Sequence, residues 1–230
     1  MARKPRPLLV GYPVHIIQRG NDRKACFFAD EDYQFFRDSL AEFAPRFKCA
    51  LHAYVLMTNH THLLLTPEIP EGPSLLMKFL GQRYVQYINK TYRRTGTLWE
   101  GRFRLGVVQS EQYVLACYRY IELNPVRANM VEHPADYRWS SYGANGAGAP
   151  VPWLTPHDQY VALGRTGNER LLAYQSLFNS ALNPEVLRQI RNAGHYGRAV
   201  GNSRFQEEIA YAQSRRAKPT TGRQDQFAKA

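Results

Sequence analysis

The chain has 230 residues, enough to bury a full core, and its 44% hydrophobic and 13% aromatic content points to a folded protein. Cys26, Cys49 and Cys117 show no CxxC spacing, which argues against a disulfide framework or a zinc knuckle; no run approaches the roughly 18–20 apolar residues of a membrane span, and the basic N-terminus lacks the apolar stretch of a signal peptide, so a reducing cytoplasm is the expected setting. A formal charge of +11, with six Lys/Arg against Asp22 in residues 1–24 and six against Glu100 in residues 81–104, points to a polyanionic partner.

Taken in chain order, Pro13 to Arg19 (PVHIIQR) reads as a strand. Tyr33, Phe36, Leu40, Phe43 and Phe47 recur at three- and four-residue steps, which predicts an amphipathic helix over 32–47. Cys49 to Met57 reads as a strand, Thr58-Asn59 as a tight connection, and His60 to Thr66 as the next strand. Glu68 to Pro73 (EIPEGP) reads as a loop. Leu76, Leu80, Tyr84 and Ile88 mark a long helix from about Ser74, and residues 102–109 a fourth strand. Ser110 is the expected N-cap of a further helix, with Glu111 in its first turn. The order β-α-β-β-α-β predicts an α+β domain with a ferredoxin-like or RRM-like antiparallel sheet, helices on one face and the other face free for a site.

The Gly/Pro-rich stretch at 143–154 reads as a linker after a domain at 1–142. Residues 155–216 read as a helical extension, and 217–230 as a disordered tail. Leu171, Leu172, Phe178 and Leu182 suggest one helix there, Val186, Leu187 and Ile190 a second, and Phe205, Ile209 and Tyr211 a third. This extension reads either as a helix-turn-helix-like aid to substrate recognition or as a brace.

Chemistry is carried by two patterns. His60 and His62 stand two apart on a strand, so both imidazoles leave the same face and can chelate one divalent ion. Tyr120 and Asn124 stand four apart, which places them on one face of a helix. Asn124 offers an amide oxygen as a third ligand, and Tyr120 a nucleophile one turn away. A neutral phenol is a poor nucleophile, but a nearby metal helps by polarising the phosphate under attack. Two rivals stand close by. Tyr113 has Cys117 at the same spacing, a poor partner for a hard metal. Tyr118 has Glu122, a credible ligand, but lies near the buried stripe of Val114 and Ile121. Pro125 disfavours helical geometry at Asn124, so the helix is expected to end or kink there.

With both patterns in view, the chain resembles the Y1 transposases of the IS200/IS605 type within the HUH endonuclease superfamily, and more narrowly the REP-associated tyrosine transposases. The matching stretches are QRGNDRKACFF (18–28), YVLMTNHTHLLL (54–65), LWEGRFR (98–104), YRYIELNPVRANMV (118–131) and YRWSSY (137–142). The resemblance implies metal ligation by His60 and His62, nucleophilic attack by Tyr120, and Mg²⁺ or Mn²⁺ as cofactor. Asn124 stands where many relatives have Gln, keeping the amide oxygen on a shorter reach. Thr61 departs from the bulky residue expected between the histidines and should point away from the metal. The implied activity is cleavage of single-stranded DNA at or beside a hairpin, here a repetitive extragenic palindrome, through a 5′-phosphotyrosine link. IS200-type relatives act as dimers; the long extension here favours a monomer. Phosphate contacts are expected from Arg19, Arg83, Arg93, Arg94, Arg102 and Arg104, and from Arg3, Lys4 and Arg6 on an N-terminal arm. The alternatives are a hairpin-binding module with little or no cleavage, and an RNA-binding domain, against which no RNP-like stretch occupies a central strand.

Overall fold

The computed structural model describes residues 10–196 and 198–216. Four strands, β1 (Val14–Arg19), β2 (Cys49–Met57), β3 (His60–Pro67) and β4 (Arg104–Val107), form one antiparallel sheet in the order β2-β3-β1-β4. Helices α1 (Asp30–Arg46) and α2 (Gly72–Thr91) pack on each other and on the sheet. This is the predicted split βαβ arrangement. Period-two alternation sends Val14, Ile16, Leu63, Leu65, Leu105 and Val107 into a dry core beneath those helices.

Local chemistry sets the element ends. Three acids open α1, and the Asp32 carboxylate accepts from the Phe28 and Ala29 amides at 2.8 and 3.1 Å, satisfying donors that the helix itself cannot. All four residues read as the face of the second helix, Leu76, Leu80, Tyr84 and Ile88, are fully buried. That helix starts at Gly72, before the expected Ser74, because Pro73 supplies a first turn that needs no amide. A side chain at Gly72 would meet the Phe47 carbonyl at 2.7 Å, so only glycine lets α2 start there.

The rest of the chain is α3 (Ser110–Glu122), α4 (Asn124–Arg127), α5 (Tyr142–Asn145), α6 (Asp158–Val161), α7 (Gly167–Ser176), α8 (Pro184–Tyr196) and α9 (Ser203–Arg216). Two expectations are corrected. Ser110 is the first residue of α3, while the extended Gln109 takes the cap position without a side-chain bond. The second face of the sheet is not free: α3 lies over β2 and β3, and α8 over β4 and β1. The apolar positions on α3 and the close approach of α8 make that coverage possible.

The segment that reads as a linker is fastened to the domain. Asn145 donates to the His52 carbonyl at 3.2 Å and to Glu122 at 2.8 Å, and the Thr155 amide donates to the Leu51 carbonyl at 2.7 Å. In the extension, Leu171 and Leu172 fall on α7 as expected, but Phe178 sits in the short 3-10 turn Leu177–Asn179 and Leu182 lies outside any helix. The predicted tail at 217–230 lies outside the described residues.

Candidate active site

Register brings the functional side chains to one place. On β3, His60 and His62 face α3, while Thr61, paired with Gln18 and Leu56, faces the opposite way and is buried. Thr61 therefore stands apart from the histidine side, as expected of it. Ile17 pairs with His62 and Arg19 with His60, so both β1 residues share the histidine face.

The two imidazoles lie edge to face with centroids 4.9 Å apart. His60 Nδ1 donates to Asn59 Oδ1 at 2.6 Å; Asn59 is oriented by its own amide donating to the Arg23 carbonyl at 2.9 Å. His62 Nδ1 faces His15 Nε2 at 2.8 Å. Both Nδ1 atoms are engaged, which leaves the Nε2 atoms as the pair for a metal. Burial keeps the rings neutral: His60 is pulled down to about 4, His15 to about 3, and His62 well below its ordinary value, with neighbouring His15, His60, Arg127 and Arg19 adding to the effect of burial. Neutral imidazole is the ligating form.

The α3–α4 break supplies the rest. Tyr120 and Asn124 do not share one continuous helix, because α3 ends at Glu122 and α4 opens at Asn124, with Pro125 in its first turn. They meet across the break. The Asn124 amide nitrogen donates back to the Tyr120 carbonyl at 3.1 Å, which turns Oδ1 the other way. The Tyr120 ring lies 5.7 Å from His62 and 5.8 Å from His15, edge to face with both. Arg127 stacks its guanidinium 4.3 Å from the Tyr120 ring centre and donates to the Tyr120 carbonyl.

A pocket of about 90 Å³ is lined by His60, His62, Tyr120 and Asn124, with Arg19, Arg102 and Arg104 around it. Glu100 is its acid, 3.9 Å from Arg104. Two His Nε2 atoms and one amide oxygen form an incomplete shell for a hard cation, leaving positions for phosphate oxygens. Among the described residues no three His, Cys, Asp or Glu side chains converge to hold a metal, and His15 turns its Nε2 to His62. The donor set thus fits a cation that binds with its substrate.

A family model described as "Transposase IS200 like" matches residues 9–124, half of the chain and all of the strands, α3 and Asn124. The chain belongs to the IS200-like transposase family. No curated protein matches. Among solved structures, this transposase is similar to a REP-associated tyrosine transposase bound to a REP hairpin, with a TM-score of 0.56, 17% identity and coverage of 69% of this chain and 93% of that one. That likeness concerns the fold. A proposed transposase from Deinococcus radiodurans R1 matches at 24% identity over 53% of this chain and 96% of its own, with a TM-score of 0.37.

The other predicted contacts of the transposase lie elsewhere. Arg83, on α2, pairs with Glu42 at 2.5 Å and lies over Phe43, away from the pocket. Arg94 lies over Phe28, and Arg93 follows α2 in a left-handed conformation; neither lines the pocket. Arg3, Lys4 and Arg6 lie outside the described residues. Neither rival tyrosine lines the pocket; Tyr118 is fully buried, its hydroxyl accepts from the His157 amide at 3.2 Å, and Glu122 is tied to Ser141, Asn145 and Tyr174. Sequence reading missed His15 and Arg127. His15 falls at alternating spacing with Ile17 and Arg19 on β1, a signal that becomes informative only with the β1–β3 register. Arg127 falls seven residues, about two helical turns, after Tyr120.

Proposed function

We propose that this transposase cuts and rejoins single-stranded DNA beside hairpins of REP-like palindromes, in the cytoplasm, with Tyr120 as nucleophile. The observation that carries the reading is the convergence of Tyr120, His60, His62 and Asn124 on one arginine-rimmed pocket. The Tyr120 oxygen attacks phosphorus, a bond to phosphorus forms, and the bond to the 3′ oxygen breaks. The phenol proton leaves, and the departing strand ends in a 3′ hydroxyl. The 5′-phosphotyrosine keeps the bond energy, and a returning 3′ hydroxyl reverses the step and releases Tyr120.

His60, His62 and Asn124 would hold Mg²⁺ or Mn²⁺, which would polarise the scissile phosphate and offset its developing charge. Arg127 fixes the Tyr120 ring through its face and its carbonyl. Arg19, Arg102 and Arg104 line the approach of the strand.

The test is a hairpin oligonucleotide with single-stranded flanks, incubated with the protein and Mg²⁺ or Mn²⁺ and resolved on a denaturing gel. The expected result is a covalent protein–DNA adduct that disappears in Tyr120→Phe and falls on the order of 100-fold in His62→Ala. An adduct that survives Tyr120→Phe would refute the assignment. Hairpin binding without any adduct would leave a recognition module instead.

A further inference from the structure

The pocket has a wall that neither the family match nor the chemistry above accounts for. Besides β1, β3, α3 and the 100–104 segment, it is lined by Arg191 and Gly194, both on α8 and well beyond the matched residues 9–124. The seating of α8 is specific. It crosses the sheet where β4 carries Gly106 and β1 carries Ile17. A Cβ at Gly106 would stand 2.7 Å from the Ala193 Cβ and 2.9 Å from the Arg198 carbonyl, and one at Gly194 would collide with Ile17. Glycine on both sides lets helix and sheet approach this closely. The chain after α8 locks the position: the Val200 amide donates to the Val107 carbonyl at 2.7 Å, and the Gln109 amide to the Val200 carbonyl at 2.8 Å.

Seated there, Arg191 is exposed, and no acid among the described residues pairs with it, whereas Arg188 on the same helix pairs with Glu185 at 2.6 Å. Arg191 shares the pocket lining with Arg19, Arg102 and Arg104, and its charge adds to the burial that disfavours the Arg127 cation. Four arginines around one pocket, with Glu100 as its acid, make a site that favours an anion.

We propose that α8 completes the DNA site in cis, with Arg191 gripping a backbone phosphate next to the one that Tyr120 attacks. This rests on the strand-cleavage reading above and extends it: one wall of the site comes from the C-terminal extension of the same chain. Guanidinium suits the task because its planar fork matches two phosphate oxygens.

The experiment uses the full chain, the flanked hairpin oligonucleotide and Mn²⁺. Arg191→Gln is expected to slow adduct formation on the order of 10- to 100-fold, the loss of one charge-assisted contact. It should also reduce the slope of log affinity against log salt by about 0.7, one single-strand phosphate contact. Arg191→Lys should recover most of the slope but only part of the rate. Arg188→Gln serves as the control on the same helix, with wild-type rate and slope expected. If Arg191→Gln matches wild type in rate and slope, or Arg188→Gln is impaired equally, the inference is overturned while the cleavage reading stands. If wild type forms no adduct with any metal, the cleavage reading fails, and the salt slope of Arg191→Gln still decides whether α8 holds a phosphate.

Discussion

His15 shows how one buried side chain decides what its neighbour can do. For His62 to offer Nε2 to a cation, its Nδ1 must carry the proton and donate to His15 Nε2, 2.8 Å away. His15 must then be neutral, as its complete burial enforces, with its proton on an Nδ1 that has no partner among the described residues. The opposite tautomer places a proton on His62 Nε2 and blocks ligation. His15→Leu, which removes the acceptor, is therefore expected to weaken Mn²⁺ binding about 10- to 100-fold in calorimetry. His15→Gln retains an acceptor oxygen and should lose less. Equal binding by the leucine variant and wild type would show that His62 is oriented by something else. The histidines themselves were legible because HxH on a strand needs only alternation. His15 was not, because its role depends on a cross-strand register that no local pattern encodes.

At the scale of elements, the site is a product of breaks and close approaches as much as of regular structure. The strands and the first two helices were readable from periodicity, since each buries a face whose spacing is fixed by geometry. The α3–α4 break was partly readable from Pro125, but not its result: Asn124 folds back on the Tyr120 carbonyl and so keeps the meeting that a continuous helix would have made. The coverage of the second face was not readable, because two glycines 88 positions apart, Gly106 and Gly194, become meaningful only when α8 meets the sheet. Gly106→Val should lift α8, cost about 1–3 kcal/mol through overpacking, and lower adduct formation as Arg191→Gln does. Thermal denaturation and the adduct gel measure the two effects. Loss of stability with unchanged cleavage would separate the packing from the site.

At the scale of the whole molecule, Glu122 ties the extension to the domain. The Ser141 hydroxyl, the Asn145 amide and the Tyr174 hydroxyl all donate to its carboxylate, at 2.6, 2.8 and 2.6 Å. The apparent linker is thus part of a common core, which the low content of large apolar residues in 143–152 concealed. Complete burial raises the carboxyl to about 7, against the opposing pull of the three donors. With the folded value above the unfolded one, this group favours folding at or below pH 4.5, and its contribution is lost as the pH rises through 7. The span is worth at most about 3 kcal/mol. Chemical denaturation at pH 5 and 8 should show a steeper decline for wild type than for Glu122→Gln, and Glu122→Ala should cost about 2–4 kcal/mol by stranding three donors. Identical pH profiles for wild type and the glutamine variant would show that the carboxyl titrates normally.

The lining of the pocket also bears on how a target is chosen. Its arginines suit phosphate oxygens, which every nucleotide offers alike. Contacts of that kind fix register and carry no base identity. Choice of position would then come from distance, measured along the strand from a hairpin held elsewhere on the surface. A strand lengthened by one nucleotide between hairpin and cut would be misplaced, while a changed base at the cut would pass unnoticed.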